Sequence, residues 1–492
     1  MNTIRVDSPY YEIVLCMLFL ATLLAKRSLF KRLATFCIIL SISACSSMGF
    51  TDLFSDYAAQ LKNARNAQLQ GDFKAAATMI EEPKTNQNNY TLNLLEKARL
   101  HYLANDWTQS RKDFALASKA LDEEASKAKI RLSSSVSNVA ALVSSDNAIA
   151  YQVAPYEQTM LHSYQALNYL FLGQLESALV EVRRANLVQE NALRENQQSL
   201  SKEQANFDKN ALDQAYPSMS AMIGDIKNGF QNAYTFYLSA LLYEAALQPN
   251  DAYIDYKRAL EIYPNNRYLQ QDVLRLAKQL QMTDDLSLFT TQYGSYQPSK
   301  INNAGELVVL LENGAINPKQ EVNIHLPIYK GFNQPRLFSF ALPVYKGSLT
   351  RYPPLQLDVA GKTYTSEQIV RLQSLASKQL QDQMPGLVTR QALRLIAKEQ
   401  LRSSMSKQGG EIGNILAVIY NVSSEQADTR SWLTLPDEVQ LLRLTLPAGK
   451  QQITLKLGNK VELIEVDIQA KGISLLNMTT IGNFQGHKLT QL

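Results

Sequence analysis

Phe73 and Trp107 stand 34 residues apart in matching surroundings. Gly71-Asp72-Phe73 is followed by Ala76, and Asn105-Asp106-Trp107 by Ser110, Phe114 and Ala117. A third copy reads Ala166, Tyr169, Gly173, Leu175, Ala178, Val182 and Ala185, and a fourth Ala240, Tyr243, Ala252, Tyr256, Ala259 and Pro264. Small and aromatic residues at helical spacing, copied along a chain, describe units of two antiparallel helices. No such unit buries its apolar face alone, so the units must stack. Ala98, Ala166, Ala178, Ala240 and Ala252 let helices approach closely, and the aromatics fill the grooves between units.

A 34-residue period is that of the tetratricopeptide repeat. Residues 45–290 are therefore expected to form a tetratricopeptide-like helical domain. Two stretches interrupt it: 121–152, rich in Ser and Ala, and 186–215, a polar helix expected to extend the one that carries Ala178. Arg183 and Arg184 lie on that helix as candidate contacts for an anionic partner, with a solvated face paired to Glu181 as the alternative.

The period changes after Gln292-Tyr293-Gly294-Ser295. Val322, Ile324, Leu326 and Ile328 alternate with polar residues and Pro327, as do Phe338, Phe340, Leu342 and Val344 and then Leu355, Leu357 and Val359. Thr365-Ser366-Glu367-Gln368 fits a capping box and predicts a helix that stops before Met384-Pro385-Gly386. Further helices are expected over 387–406 and around Ile412, Ile415, Leu416 and Ile419. Strands resume at 439–446, 452–457, 461–468 and 473–480, with Gly458-Asn459 as a hairpin signal. The fold class read here is α+β: the helical array, then a β-sandwich-like domain over 300–492 with a helical insertion at about 365–425.

Leu29–Ser47 supplies an address. Lys31 and Arg32 precede the apolar run Phe36–Leu40, and small residues lead to Ile42-Ser43-Ala44-Cys45. That is the layout of a secretory signal. Its end resembles a bacterial lipobox, which implies a diacylglycerol thioether on Cys45, cleavage before it and an acylated new N-terminus. Three acyl chains would anchor the protein permanently. Ser46 after the cysteine implies sorting to the outer membrane, facing the periplasm. The apolar run Ile13–Ala25 in front is short for a span, so residues 1–28 are expected to lie upstream of a true start at Leu29. Residues 1–44 carry a net +3 of the chain's +4, so the mature protein is nearly neutral and nucleic-acid binding loses its support. The three cysteines are Cys16, Cys37 and Cys45, which leaves the mature chain neither free thiol nor disulfide.

Three blocks resemble a family of tetratricopeptide-type lipoproteins of Gram-negative envelopes: Pro155–Tyr169, Gly305–Gly314 and Ala427–Pro436. The resemblance brings no catalytic role with it. His101, His162, His325 and His487 are scattered, without metal-ligand spacing. Ser404-Met405-Ser406-Lys407 lacks the companion motifs of penicillin-binding enzymes, and Gly361-Lys362-Thr363 lacks the upstream glycine of a phosphate loop. The best site candidate is the Asp428–Pro436 block, where Trp432 and Arg430 are read either as a partner-binding hot spot or as a plug between helices and sheet. The expectation is a lipid-anchored interaction protein of an envelope machine, not an enzyme, with no cofactor and no metal. The alternative is a cell-wall glycan-binding or hydrolytic lipoprotein acting through the C-terminal half, which would need a paired-carboxylate cleft, and Glu306 with Glu312 is too thin a basis for one.

Overall fold

A computed structural model describes residues 56–133, 149–203, 217–328, 336–391, 394 and 426–492. Tyr57–Leu492 is one compact unit.

Among the described residues, five helix pairs build the first half: α2 (Lys62–Leu69) with α3 (Phe73–Thr78), α4 (Tyr90–Leu103) with α5 (Trp107–Ser133), α6 (Pro155–Phe171) with α7 (Leu175–Glu203), α9 (Ala233–Ala245) with α10 (Pro249–Ile262), and α11 (Arg267–Gln279) with α12 (Thr283–Tyr293). The short helices α1 (Tyr57–Gln60) and α8 (Pro217–Ile223) stand outside the pairs. Every pair turns through three residues whose middle one is left-handed: Gly71, Asn105, Gly173, Leu247 and Gln281, with φ between 57° and 84°. In each turn the middle N–H reaches back three residues and the next N–H reaches back five, as in Asn105 to Tyr102 and Asp106 to His101. This double closure satisfies the helix's last carbonyls and reverses the chain at once. The recurring turn is the physical form of the 34-residue period. Ala98, Ala166, Ala178, Ala240 and Ala252 are all fully buried, as close helix approach requires.

Strands follow: β1 (Ala304–Asn313), β2 (Gln320–Ile328), β3 (Arg336–Val344), β4 (Gln356–Val359), β5 (Lys362–Thr365), β6 (Glu367–Arg371), β7 (Glu438–Pro447), β8 (Gly449–Leu457), β9 (Lys460–Ile468), β10 (Ile473–Ile481) and β11 (Phe484–Gln491). The main sheet has the order β11-β10-β1-β7-β6, a smaller one the order β5-β4-β8-β9, and β2-β3 is a separate hairpin. β1 runs parallel to β10 and antiparallel to β7. Strands before the helical insertion thus pair with strands after it. They do not form a free-standing sandwich, because helices occupy one face of the main sheet: Glu312 of β1 meets Arg99 of α4, and Arg443 of β7 meets Glu244 of α9. The other face is built from Leu307, Val309 and Leu311, and Gln440 of β7 on that side bonds the Leu355 N–H beside β4.

The expected capping box is not one. Thr365 ends β5, Glu367 opens β6, and the helix begins only at 372 and continues through Pro385-Gly386 to 391. Ser366 instead donates its hydroxyl to Gln440, so the polar cluster closes a sheet rather than a helix. Met384 is fully buried, and burial of that helix outweighs the local breaker. Most of the helix expected over 387–406, and all of the one expected around Ile412, Ile415, Leu416 and Ile419, lie outside the described residues.

Candidate functional site

Segment 426–437 reaches β7 by crossing α4 and α6, and the crossing is fastened through its backbone. Glu96 of α4 accepts the N–H groups of Leu433 (2.6 Å) and Thr434 (3.0 Å), and Glu157 of α6 accepts that of Trp432 (2.9 Å). An irregular, buried segment without a strand beside it leaves donors that must be satisfied. Here two helix carboxylates serve in place of a ladder. Glu96 is fully buried, and that burial pushes its carboxyl up to about 7, against the hydrogen bonds from Thr434 and Leu433 and the charge of Arg65. Glu157 also accepts from the Tyr151 and Tyr156 hydroxyls and the Ala154 N–H.

Trp432 is fully buried beside Phe114 (5.8 Å between centroids) and Tyr164 (6.1 Å), and its indole N–H donates to Thr434. Arg430 is also buried. Its guanidinium holds Asp428 at 2.8 Å, donates to the Asn89 amide oxygen and the Ile149 carbonyl, and lies over the Tyr151 ring. Burial would raise Asp428, yet the Arg430 hydrogen bonds and charge hold it below the ordinary carboxylate range. Neither residue offers a free surface, so the hot-spot expectation for Arg430 and Trp432 is corrected: they fix the joint. Arg183 and Arg184 are exposed on α7 and join no such cluster. Arg183 donates to the Tyr243 hydroxyl (3.2 Å), and Arg184 lies 3.6 Å from Glu181.

Two further ionic groups tie helices to sheet. Arg99 and Glu312 form an ion pair with both side chains fully buried, and Arg99 stacks on Tyr102 and Tyr164. Arg443 meets Glu244 (3.2 Å), Asp272 (3.1 Å) and Glu306 (3.3 Å), with the Tyr256 hydroxyl at 3.0 Å. Burial opposes the ionisation of Glu244, but Arg443 and Arg275 win and bring it to about 2. Glu306 and Glu312 share one face of β1, six residues or about 20 Å apart along the strand. Glycosidic carboxylate pairs need about 5–9.5 Å. Both are engaged by arginines, so this pair serves structure.

The three blocks that carried the resemblance converge at this joint. Glu157 and Tyr164 come from the first, Glu312 from the second and Trp432 from the third, and the Ile316 N–H just past the second block bonds the Leu435 carbonyl of the third. Sequence reading missed Glu96, Glu157 and Arg99. Their signal was present as charges at core-facing helix positions. His101, His162 and His487 each pair with one carboxylate, and no group of metal-ligating side chains occurs among the described residues. Gly361 lies in the β4–β5 turn and Lys362-Thr363 open β5, where Thr363 donates to Asp358. Cys45 and Ser404–Lys407 lie outside the described residues, and no helix among the described residues is long and apolar enough to cross a membrane.

No family model matches the chain, and no curated protein does. Solved structures similar to it include MamA from Desulfovibrio magneticus RS-1, at 12% identity over 48% of this chain and 93% of that one with a TM-score of 0.26. Others are BtubC from P. vanneervenii (13%, 49% and 81%, 0.26) and the TPR2AB domain of yeast Sti1 in complex with pHSP90 (11%, 48% and 91%, 0.19). At such distance the tetratricopeptide-like assignment rests on the chain's own helix pairs and turns.

Proposed function

We propose that this is a lipid-anchored scaffold or accessory protein, held at the outer membrane through Cys45 and facing the periplasm, that binds protein partners of an envelope machine. Peptidoglycan synthesis, outer-membrane assembly and secretion are the machines in question. The observation that carries the reading is the array of five helix pairs in one repeated turn geometry, an architecture suited to extended protein-binding surfaces. The lipobox-like Ile42-Ser43-Ala44-Cys45 supports the anchor. Because the chain's own 426–437 segment and main sheet cover α4, α6 and α9, partners are assigned to surfaces outside that joint.

In vivo crosslinking from the lipidated protein, followed by mass spectrometry, tests the reading. Reproducible protein partners are expected. Recovery of glycan strands alone would overturn it in favour of a cell-wall role. Cys45→Ala is expected to leave an uncleaved precursor or a soluble periplasmic product; fractionation and migration like the wild type would remove the anchor.

A further inference from the structure

Outside the joint, a cleft of about 80 Å³ opens where β11 passes the ends of α4 and α6 and the start of α5. Trp107 and Phe171 form one wall, their ring centroids 5.3 Å apart. Phe484, Gly486 and Lys488 of β11 form the other. Strand parity explains that second wall. Gly486 pairs with Thr479 and Lys488 with Asn477, and Asn477 bonds Tyr102 of α4, so alternate residues of β11 face the helices. Gly486 keeps the wall open, because a Cβ there would meet the Phe484 ring at 2.5 Å.

β11 is also the last strand of the main sheet, bonded to β10 alone among the described strands. Just before it the Asn483 N–H bonds the Leu69 carbonyl at the end of α2, and past that point the outer edge carries a row of backbone N–H and C=O groups suited to a further strand. A strand added there projects every second side chain to the helix side, into the cleft. On the cleft side the charge has one sign. The Lys488 ammonium lies 4.8 Å above the Trp107 ring and no carboxylate lines the cleft, whereas Glu462 lies beside His487, the neighbour of opposite parity on the strand. Two-fold pairing of β11 centred on Lys488 would set two ammonium groups directly opposite each other, which disfavours self-association in that register.

We propose that β11 and its cleft are a docking edge for an extended segment of a partner protein. The segment adds as a strand to β11, seats one large apolar side chain against Trp107 and Phe171, and sets an acidic residue beside Lys488. This rests on the reading of the protein as an interaction scaffold and names its surface.

The test uses the full mature protein and a fixed set of synthetic decapeptides. Each carries a central Leu, Phe or Trp with either Asp/Glu or Lys flanks, and a parallel set is N-methylated at alternate amides. Fluorescence polarisation should show binding by the acidic-flanked peptides, lost on N-methylation of the pairing edge. Lys488→Glu should weaken that binding by about tenfold and move the preference to Lys flanks, with an unchanged melting temperature. The proposal is overturned if no peptide binds, if N-methylation or Lys488→Glu has no effect, or if Lys488→Glu instead abolishes a dimer of the protein. Partners that still crosslink to the Lys488→Glu protein in vivo would sink this edge alone and leave the scaffold reading standing. A wild type that crosslinks to no protein would sink the scaffold reading itself.

Discussion

The two faces of the main sheet are both buried, yet along the middle of β1 and β7 they carry different chemistry. Along β1, Leu307, Val309 and Leu311 point away from the helices, and Glu306, Val308, Leu310 and Glu312 point toward them. β7 repeats the contrast, with Leu442, Leu444 and Leu446 on one side and Arg443 on the other. An apolar stretch packs against any complementary apolar surface, so it stabilises without selecting a register. The charge these two strands carry on that side stands only at the end of β7, where Glu438 meets Arg371 (2.8 Å). The helix face places single charges that find partners only in one arrangement: Arg99 for Glu312, and Glu244 and Asp272 for Arg443. Buried ion pairs are weak sources of stability, and fixing one arrangement is the role attributed to them here as a hypothesis. The difference explains how a repeat array, which grows by local contacts, is attached to a sheet in a single orientation.

The largest expected effect breaks the charged face at one point. Arg99→Met leaves Glu312 as an uncompensated buried carboxylate and should cost about 3–5 kcal/mol in urea unfolding. Arg99→Met with Glu312→Met should recover most of that loss, since the pair itself contributes little net stability. Leu311→Ala on the opposite face should cost about 2–5 kcal/mol, with no second-site change that restores it so simply. A double variant as unstable as Arg99→Met alone would show that the two faces do not differ in this way.

A pH titration sharpens the same comparison. The Glu96 carboxyl titrates near 4.5 in an unfolded chain and about 7 in the fold, because burial disfavours its charge. Between those values the folded form holds the extra proton, so stability falls as pH rises. The contribution is complete below about 4.5 and lost above about 7, a difference of about 3 kcal/mol. Glu244 behaves oppositely: held near 2 by Arg443 and Arg275, it contributes above 4.5 and loses that as pH falls toward 2. Burial also raises Asp255, Asp437 and Glu438, so the diagnostic quantity is a difference between proteins. Glu96→Gln should be less stable at pH 4.5, having lost one of two N–H bonds, and should show a shallower decline from pH 4.5 to 7. Parallel declines would remove Glu96 as the source.

This contrast also explains what the sequence disclosed. The helical half was legible because its information is local: a 34-residue period, small residues at packing positions and a turn after each first helix. The strand runs were legible by alternation, but which strands pair was not, because β1 meets β10 and β7 across more than a hundred residues. The Thr365–Gln368 cluster misled because its polar residues satisfy a sheet edge from a distance. At the joint, Trp432 and Arg430 stood out by residue type. Glu96 and Glu157 did not, since an acidic residue on a helix reads as solvated until the segment it holds is in place.

The smallest effect sets the floor, at a site that touches neither face. Leu247 occupies the left-handed position of the α9–α10 turn at φ 59°, with its side chain 88% exposed. Gly71 and Gly173 hold the equivalent place without strain, and Asn105 holds it as the type of L-residue that best tolerates this backbone. For a leucine the conformation costs about 1–2 kcal/mol, and so exposed a side chain returns little by burial. Leu247→Asn relieves most of that strain without glycine's extra freedom in the unfolded chain. It should therefore stabilise the protein by about 0.5–1 kcal/mol, seen as a small rise in the urea midpoint at unchanged slope. A fall in the midpoint instead would mean that Leu247 is covered by a partner surface in solution, and that the turn carries an apolar contact on top of its role in reversing the chain.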